Sequence, residues 1–290
     1  MTHVITRRAV LGAFASIALV PASRATASPA DARHALAELE SQNGGRLGVA
    51  ALDTQSGMRI GHRADERFAL CSTFKYLAAA QVLARVDRGL ERLDRPVKVA
   101  RSDLVTYSPI VETRVGSTIT VAELCHAAIT LSDNAAGNLL LASFGGPAGL
   151  TDFLRSIGDG VSRLDRIEPD LNEARTGDPR DTTTPDAMLD TMNKLVLGDV
   201  LTPRSRQQLE DWLAANTTGG KRIRAGVPAD WRVGDKTGTG MNGAANDVAV
   251  LWPPSRKPML LMVYYAEADI APEKRDRVIA DSARIVSAGL

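Results

Sequence analysis

The sequence predicts an α/β fold, specifically an α+β sandwich in which one antiparallel sheet is built from both ends of the chain. Strand-like runs lie at 45–63 near one end and at 231–267 near the other, whereas helical periodicity dominates from Ser72 to about Ala215. The simplest packing flanks the sheet with the terminal helices and inserts an all-helical lobe between its halves. We expect an active site in the cleft between the two lobes.

Hydrophobic spacing predicts the individual elements. The run 30–42 carries Ala32, Ala35, Leu36 and Leu39 on one stripe and predicts a helix. Strands are expected at 45–54, 58–63, 231–240, 247–254 and 258–267. Further helices are expected at 72–90, 120–130, 133–143, 148–157, 185–196, 203–215 and from about 272 to 288.

Composition limits the classes of function. The 290 residues are 44% hydrophobic and 24% charged, with a formal net charge of +1. This is an ordinary globular composition without the basic excess that nucleic-acid binding requires. The four histidines are scattered, and none has zinc-ligand spacing to another His or Cys, so no metal site is predicted.

The N-terminus has the features of an export signal. Arg7 and Arg8 are followed by the apolar run Ala9–Val20 and then by Ala25-Thr26-Ala27, a small-x-small cleavage pattern. The apolar run is too short to span a membrane stably. The paired arginines favour a twin-arginine signal over a general secretory one. The mature protein is then periplasmic and not attached to a membrane.

These features predict the domain boundaries. The expected signal peptide covers 1–27 and the mature catalytic domain covers 28–290. Within that domain the α/β lobe is expected at about 28–68 and 217–290, with the helical lobe at about 69–216.

Ser72 stands three residues before Lys75 at the predicted start of a helix. A serine hydroxyl becomes a good nucleophile when a neighbouring base takes its proton, and a lysine held in a pocket can act as that base. The helix N-terminus also offers N–H groups to a developing oxyanion. Because a Ser-x-x-Lys match arises about once by chance in a chain of this length, the alternative is a capping serine beside a solvated lysine.

Two further motifs contain polar side chains that could line a cleft and bind a substrate. Ser132-Asp133-Asn134 follows an apolar helical run, and its hydroxyl and amide would point into a cleft if the tripeptide forms a tight turn. Its alternative role is to cap the next helix. Lys236-Thr237-Gly238-Thr239 lies in a strand pattern, where an ammonium and two hydroxyls suit a carboxylate. Each motif is weak alone, but the three occur once each and in this order.

This trio is the signature of class A β-lactamases and penicillin-binding proteins. The chain resembles class A serine β-lactamases across most of its mature length. The resemblance rests on ERFALCSTFK, DLVTYSPIVE, LSDNAAGNLLL, ADWRVGDKTGTG and NDVAVLWPP. It implies the same two-lobed fold.

The segment 166–185 resembles the omega loop of that family. The resemblance implies that Glu168 and Asn172 hold the hydrolytic water and that Arg166 and Asp181 close the loop neck as an ion pair. Penicillin-binding proteins lack this glutamate-bearing loop. The alternative for Glu168 is an ordinary surface carboxylate.

The resemblance also implies a mechanism and a substrate, a β-lactam antibiotic. Ser72 would attack the β-lactam carbonyl, with Lys75, or Glu168 through a water, taking its proton. Ser132, helped by Lys236, would pass a proton to the departing nitrogen. Glu168 would then activate water for deacylation.

Other residues would bind the substrate. Asn134 would hold its side-chain amide, and Tyr107 matches the aromatic residue at the cleft rim, although a core or surface tyrosine is nearly as plausible from sequence. The carboxylate would be held by Lys236, Thr237, Thr239 and Arg222, because the family's other arginine position falls on Ala245. The alternative for Arg222 is a solvated charge.

No cofactor is implied, and a monomer is expected.

Three rival functions stay open from sequence. A cell-wall peptidase is disfavoured by Glu168, and a non-hydrolytic β-lactam sensor by the lack of a predicted membrane-spanning segment. A homologue with only the scaffold is disfavoured because every catalytic position is filled.

The two cysteines would invite a disulfide in an exported protein. In the family, the partner positions of Cys71 and Cys125 fall on Gly240 and Ala79. The resemblance therefore implies two free, buried thiols, with Cys71 packing beside the nucleophile.

Overall fold

The structure is a computed structural model that describes residues 1–3 and 28–290. The predicted twin-arginine motif, apolar run and cleavage site fall outside the described residues. None of the helices in the described part is both long and apolar enough to cross a bilayer.

Apart from the one-turn helix at 223–226, which the sequence did not predict, the helices of the described residues form close to where their apolar periodicity predicts them. Several begin with a side-chain cap; for example, Ser28 and Thr120 form capping boxes at the first turns of their helices. The helices are α1 (Pro29–Asn43), α2 (Phe74–Asp87), α3 (Val121–Thr130), α4 (Asn134–Ala142), α5 (Gly146–Ser156), α6 (Pro185–Met192), α7 (Pro203–Ala214), α8 (Ile223–Gly226) and α9 (Pro272–Gly289).

Five strands form one antiparallel sheet in the order β2-β1-β9-β8-β7. The first two strands come from the start of the described chain and the other three from its end, as predicted. β7 is an edge strand, so the motif that contains Lys236 borders the space outside the sheet. The strands are β1 (Arg46–Asp53), β2 (Arg59–His62), β7 (Arg232–Thr239), β8 (Ala245–Trp252) and β9 (Met259–Ala266).

Each face of the sheet belongs to a different apolar core. Alternate residues of β9 divide between them, because successive side chains of a strand point to opposite faces. Leu261 and Val263 join the core formed with α1 and α9, whereas Met262 and Tyr264 join the large core of the helical lobe. The sheet therefore separates the two apolar cores, and the helical lobe packs against one of its faces.

The inserted lobe, expected to be all-helical, also contains short strands. β4 (Pro96–Lys98) pairs with β5 (Thr118–Thr120), and β3 (Phe68–Ala69) pairs with β6 (Thr182–Thr183) at the border between the lobes. Runs of two or three residues are too short to show the period-two alternation of a strand, which is why the sequence pattern did not predict them.

Glu40 joins the N-terminal helix to the sheet. Its carboxylate accepts hydrogen bonds from the Leu47 N–H at 3.0 Å and from Arg63 Nε at 2.8 Å, and its Oε2 lies 3.0 Å from His62 Nε2. Burial would raise the pKa of Glu40, but the hydrogen bonds from Arg63, Leu47 and His62 outweigh it and lower the pKa from 4.5 to about 2.

We predict that Glu40→Gln lowers the free energy of unfolding at pH 7. Because the folded-state pKa lies below the ordinary value, the stabilisation is present above about pH 4.5 and is lost as pH falls towards about 2. Chemical denaturation at several pH values should show the difference between parent and variant shrinking over that window. Glu38→Gln is the matched control, because among the described residues Glu38 pairs with exposed His34 and is itself exposed. A difference that does not change with pH would contradict this account.

Candidate active site

The predicted nucleophile lies in a 3-10 turn, Cys71–Thr73, directly before α2. Ser72 is 9% exposed and Lys75 is fully buried. The helix behind them is buried at every position from Phe74 to Ala84, which holds the turn in place. The alternative of a capping serine beside a solvated lysine is wrong, because Ser72 is not the N-cap and Lys75 is not solvated.

Three chain segments contact Lys75 Nζ. It lies 2.8 Å from Ser72 Oγ, 2.8 Å from the Ser132 carbonyl oxygen, 2.6 Å from Asn134 Oδ1 and 2.9 Å from Glu168 Oε1. The predicted residues of the first two motifs and of the loop are therefore brought together around one amine.

Burial dominates the electrostatics of both lysines of the site. It lowers the pKa of Lys75, although the Glu168 carboxylate opposes the shift. It lowers the pKa of Lys236 well below its ordinary value, and the neighbouring Lys75 charge adds to that effect. Two amines with lowered pKa values in one cleft are suited to accept and release protons.

The Ser132-Asp133-Asn134 turn connects α3 to α4 and combines both predicted roles. Asp133 caps α4 by accepting the Ala136 N–H at 2.9 Å. Ser132 has a left-handed backbone (φ 58°), and its Oγ lies 3.0 Å from Lys236 Nζ and 3.4 Å from Lys75 Nζ. A hydroxyl between two amines can relay a proton between them and a bound group.

Asn134 is held from both sides. Its Oδ1 accepts from Lys75, and its Nδ2 donates to the Thr106 carbonyl at 2.8 Å, which leaves one amide N–H for another partner. Tyr107, whose carbonyl accepts the Asn134 N–H at 2.9 Å, has a 57% exposed side chain. Tyr107 is therefore not a core residue and lies at the edge of the site.

Glu168 is 1% exposed, so the alternative of a surface carboxylate is wrong. Its Oε1 accepts from Ser72 Oγ at 3.2 Å and contacts Lys75, and its Oε2 accepts from Asn172 Nδ2. The Oδ1 atom of Asn172 is buried and has no hydrogen-bond partner among the described residues. A carboxylate and an unpaired amide oxygen thus lie side by side near the serine.

The loop neck is closed by the predicted ion pair. Arg166 Nε lies 2.6 Å from Asp181 Oδ2, and Asp181 is fully buried. Asp181 Oδ1 also accepts the Asp165 and Arg166 N–H groups at 2.7 and 2.9 Å. Arg166 Nη1 reaches Glu173 within the loop at 2.6 Å.

Sequence reasoning missed Asn138, which positions Glu168 through its backbone. Asn138 Oδ1 accepts the Glu168 N–H, and its Nδ2 donates to the Glu168 carbonyl, both at 2.9 Å. One signal was present, because Asn138 lies four residues after Asn134 and so on the same face of a helix.

Arg222 lies beside β7 and is only 11% exposed, so it is not a solvated surface charge. Its Nη1 donates to the Gly238 and Asn246 carbonyls, each at 2.7 Å, and its Nη2 donates to Thr239 Oγ1 at 2.8 Å. Asp276 balances its charge at 2.7 Å. Arg222 thus presents Thr239 to the cleft.

Thr237 is 6% exposed, and its hydroxyl contacts Thr218, a residue that the sequence did not indicate. Ala245, at the alternative arginine position, is buried in the core with α1 and α9.

Both cysteines are free and buried, as predicted. A Cβ atom on Gly240 would lie 2.7 Å from Cys71 Sγ, which agrees with the neighbourhood expected for that thiol. Burial, with a smaller contribution from the Glu168 charge, raises the pKa of Cys71 to about 12. The Cys71 thiol beside Ser72 therefore stays protonated and is a poor nucleophile.

Comparison with known proteins agrees with this geometry. The sequence pattern described as "Beta-lactamase enzyme family" matches residues 31–290. Beta-lactamase CTX-M-8 from Citrobacter amalonaticus is 46% identical over 289 residues, which is 100% of this chain and 99% of that protein.

Solved structures are also similar. An ancestral (GNCA) class A β-lactamase is 64% identical with a TM-score of 0.87, covering 88% of this chain and 98% of that chain. The putative class A β-lactamase PenP from Rhodopseudomonas palustris is 60% identical with a TM-score of 0.88, covering 89% and 99%. The chain therefore belongs to the β-lactamase enzyme family, within class A.

Proposed function

We propose that this protein hydrolyses the β-lactam amide bond of penicillins and cephalosporins through an acyl-enzyme on Ser72 and thereby confers β-lactam resistance. One observation carries the proposal. A loop carboxylate, Glu168, lies within hydrogen-bond distance of both the Ser72 hydroxyl and the Lys75 amine. The names of the relatives, all β-lactamases, support the same substrate class.

In acylation, Ser72 Oγ forms a bond to the lactam carbonyl carbon as its proton leaves. Lys75 and Glu168 both contact the hydroxyl, so either is in reach of that proton. Burial lowers the pKa of Lys75, which favours its use as a base. Backbone N–H groups of Ser72 and Thr239 would stabilise the oxyanion, and Ser132 would deliver a proton to the departing nitrogen.

In deacylation, a water attacks the ester on Ser72 and needs a base beside it. Glu168 supplies the carboxylate, and the unpaired Asn172 Oδ1 supplies a second acceptor for the same water. These two acceptors, the Glu168 carboxylate and Asn172 Oδ1, would distinguish a hydrolase from a protein that is only acylated.

The remaining site residues would bind the substrate. The free N–H of Asn134 suits the carbonyl of the substrate side chain, and exposed Tyr107 would pack at the rim. Lys236, Thr237, Thr239 and Arg222 form the region that would hold the carboxylate.

We also propose that residues 1–27 direct export, by a twin-arginine route, to the periplasm. The mature chain would act there as a monomer without membrane attachment. The order of paired arginines, apolar run and cleavage pattern supports this route.

Turnover of a chromogenic cephalosporin by the purified protein tests the proposed function directly. A sensor would react once per molecule, and a scaffold-only homologue would not react at all. Steady-state colour development in excess of one equivalent is the result that we expect.

We predict that Glu168→Ala slows deacylation by ~10²–10⁴, the usual loss for a positioned general base. The variant should accumulate a covalent adduct on Ser72 with the full added mass of the drug, detected by intact-protein mass spectrometry. Ser72→Ala should form no adduct. Asp170→Asn removes an exposed carboxylate from the same loop and should turn over like the parent. Parent-like turnover by Glu168→Ala would place the hydrolytic base elsewhere.

We predict that Arg166→Ala opens the omega loop before the rest of the protein unfolds. The substitution leaves buried Asp181 without its partner, which costs about 3 kcal/mol locally. Proteolysis within 166–185 should become faster and penicillin turnover should fall. Arg180→Ala in the same loop is the control, because the Arg180 side chain is 47% exposed and solvent screens its ion pair with Asp178. Equal protease resistance of parent and Arg166→Ala would show that the ion pair does not hold the loop closed.

A further inference from the structure

The turn between β7 and β8 contains an Asn-Gly dipeptide in a left-handed conformation. Asn242 has a φ of 52° and Gly243 has a φ of 72°. The Ala244 N–H closes the turn by donating to the Met241 carbonyl at 3.0 Å. A type I′ turn requires φ > 0 at both central residues, and it therefore favours Asn followed by Gly. A Cβ atom on Gly243 would also lie 2.5 Å from the Ala268 carbonyl oxygen, so the fold requires glycine there.

The Asn242 side chain attaches this turn to the omega loop. Its Nδ2 donates to the Glu173 carbonyl at 3.1 Å and to the Ala174 carbonyl at 3.2 Å. Both partners can only accept, so the NH₂ group of Asn242, and not its oxygen, must face the loop. The residue before Glu173 is Asn172, whose side chain binds the Glu168 carboxylate. One amide group of the turn therefore holds the part of the loop that contains Asn172.

An Asn-Gly pair can lose ammonia without an enzyme, because glycine has no side chain to hinder ring closure. The Gly243 backbone nitrogen loses its proton and forms a bond to Asn242 Cγ, while the Cγ–Nδ2 bond breaks and the nitrogen leaves as ammonia. Water then opens the resulting succinimide at either of its two carbonyl carbons. The product is aspartate or isoaspartate, and water is the only other reactant.

The structure favours this reaction at Asn242 over the second Asn-Gly pair of the sequence, Asn43-Gly44. Asn242 is exposed, and within the described part of the chain the Gly243 N–H donates to no acceptor, so it is free to ionise and attack. Asn43 is instead the half-buried last residue of α1. The Gly44 N–H donates to the Glu40 carbonyl at 2.8 Å, which keeps that nitrogen within the helix cap.

We propose that Asn242 is a site of spontaneous deamidation and that its conversion releases the omega loop from the β7–β8 turn. Aspartate would place a carboxylate, which cannot donate, against two carbonyl oxygens. Isoaspartate would in addition route the backbone through the side chain and so disrupt the type I′ turn. The loop would then open more often, and Asn172 would align water less well. Only this last consequence rests on the proposed function.

Peptide mapping by mass spectrometry of the folded protein, incubated at mildly alkaline pH, tests the modification. The same chain incubated in guanidinium chloride should convert at both Asn-Gly pairs and shows their rates without the fold. In the folded protein we expect conversion at Asn242 and retention of Asn43. An unchanged Asn242, over a period in which the denatured chain converts, would overturn the proposal. Faster conversion at Asn43 than at Asn242 in the folded protein would overturn it as well.

Limited proteolysis tests the release of the loop. The converted form has one more negative charge and can be separated by ion exchange. Cleavage within 166–185 should be roughly tenfold faster in this form, the factor that corresponds to the loss of one to two net hydrogen bonds. Asn242→Asp should show the same direction of change, and Asn43→Asp, the matched control, should resemble the parent. Parent-like protease resistance of both the converted form and Asn242→Asp would contradict the proposal.

Penicillin turnover separates this proposal from the proposed function. If the protein hydrolyses penicillin, kcat of the converted form should fall below that of the fresh protein, because deacylation needs an aligned water. If the fresh protein does not hydrolyse penicillin, the proposed function fails. The peptide map and the proteolysis then still decide whether Asn242 deamidates and whether its amide holds the loop.

Discussion

The burial of the Lys75 amine is the constraint on which the rest of the site depends. A buried amine is costly unless acceptors surround it, and here no single element supplies them. Ser72 comes from the turn before α2, Ser132 and Asn134 from the turn before α4, and Glu168 from the loop. The partnering of one amine therefore requires the correct relative position of three segments that are far apart in sequence.

The loop carboxylate is held as firmly as the lysine that it contacts. Asn138 fixes its backbone, and Asn172 binds its second oxygen. The loop is in turn connected to the turn between β7 and β8, because the Met241 N–H donates to the Asn172 carbonyl at 2.8 Å. Glu168 is thus positioned by the helical lobe on one side and by the strand edge on the other. Such support is what a general base needs in order to align a water with an ester.

Two charged side chains, Asp235 and Arg222, are connected to the hydroxyls of the edge strand β7. Asp235 lies behind Thr237 and acts through Asn216 and Thr218, whereas Arg222 acts directly on Thr239. One threonine is consequently placed beside a chain that ends in a negative charge and the other beside a positive charge. The hydroxyls of Thr237 and Thr239 thus have different hydrogen-bond partners.

The sequence by itself determined the order and type of the main elements, because apolar periodicity reports directly which face of each segment is buried. It also indicated Ser72, Lys75, Ser132 and Lys236, since three short motifs in a fixed order are improbable by chance, whereas Glu168 was indicated by the resemblance to class A β-lactamases. Only the tertiary structure showed that Asn138 holds the Glu168 backbone and that Thr218 contacts Thr237. Their partners lie 30 and 19 residues away along the chain, and nothing in local spacing distinguishes such an amide or hydroxyl from a solvated one. The partner of each β7 hydroxyl was likewise decided by packing, because it depends on which side chain the fold brings next to it.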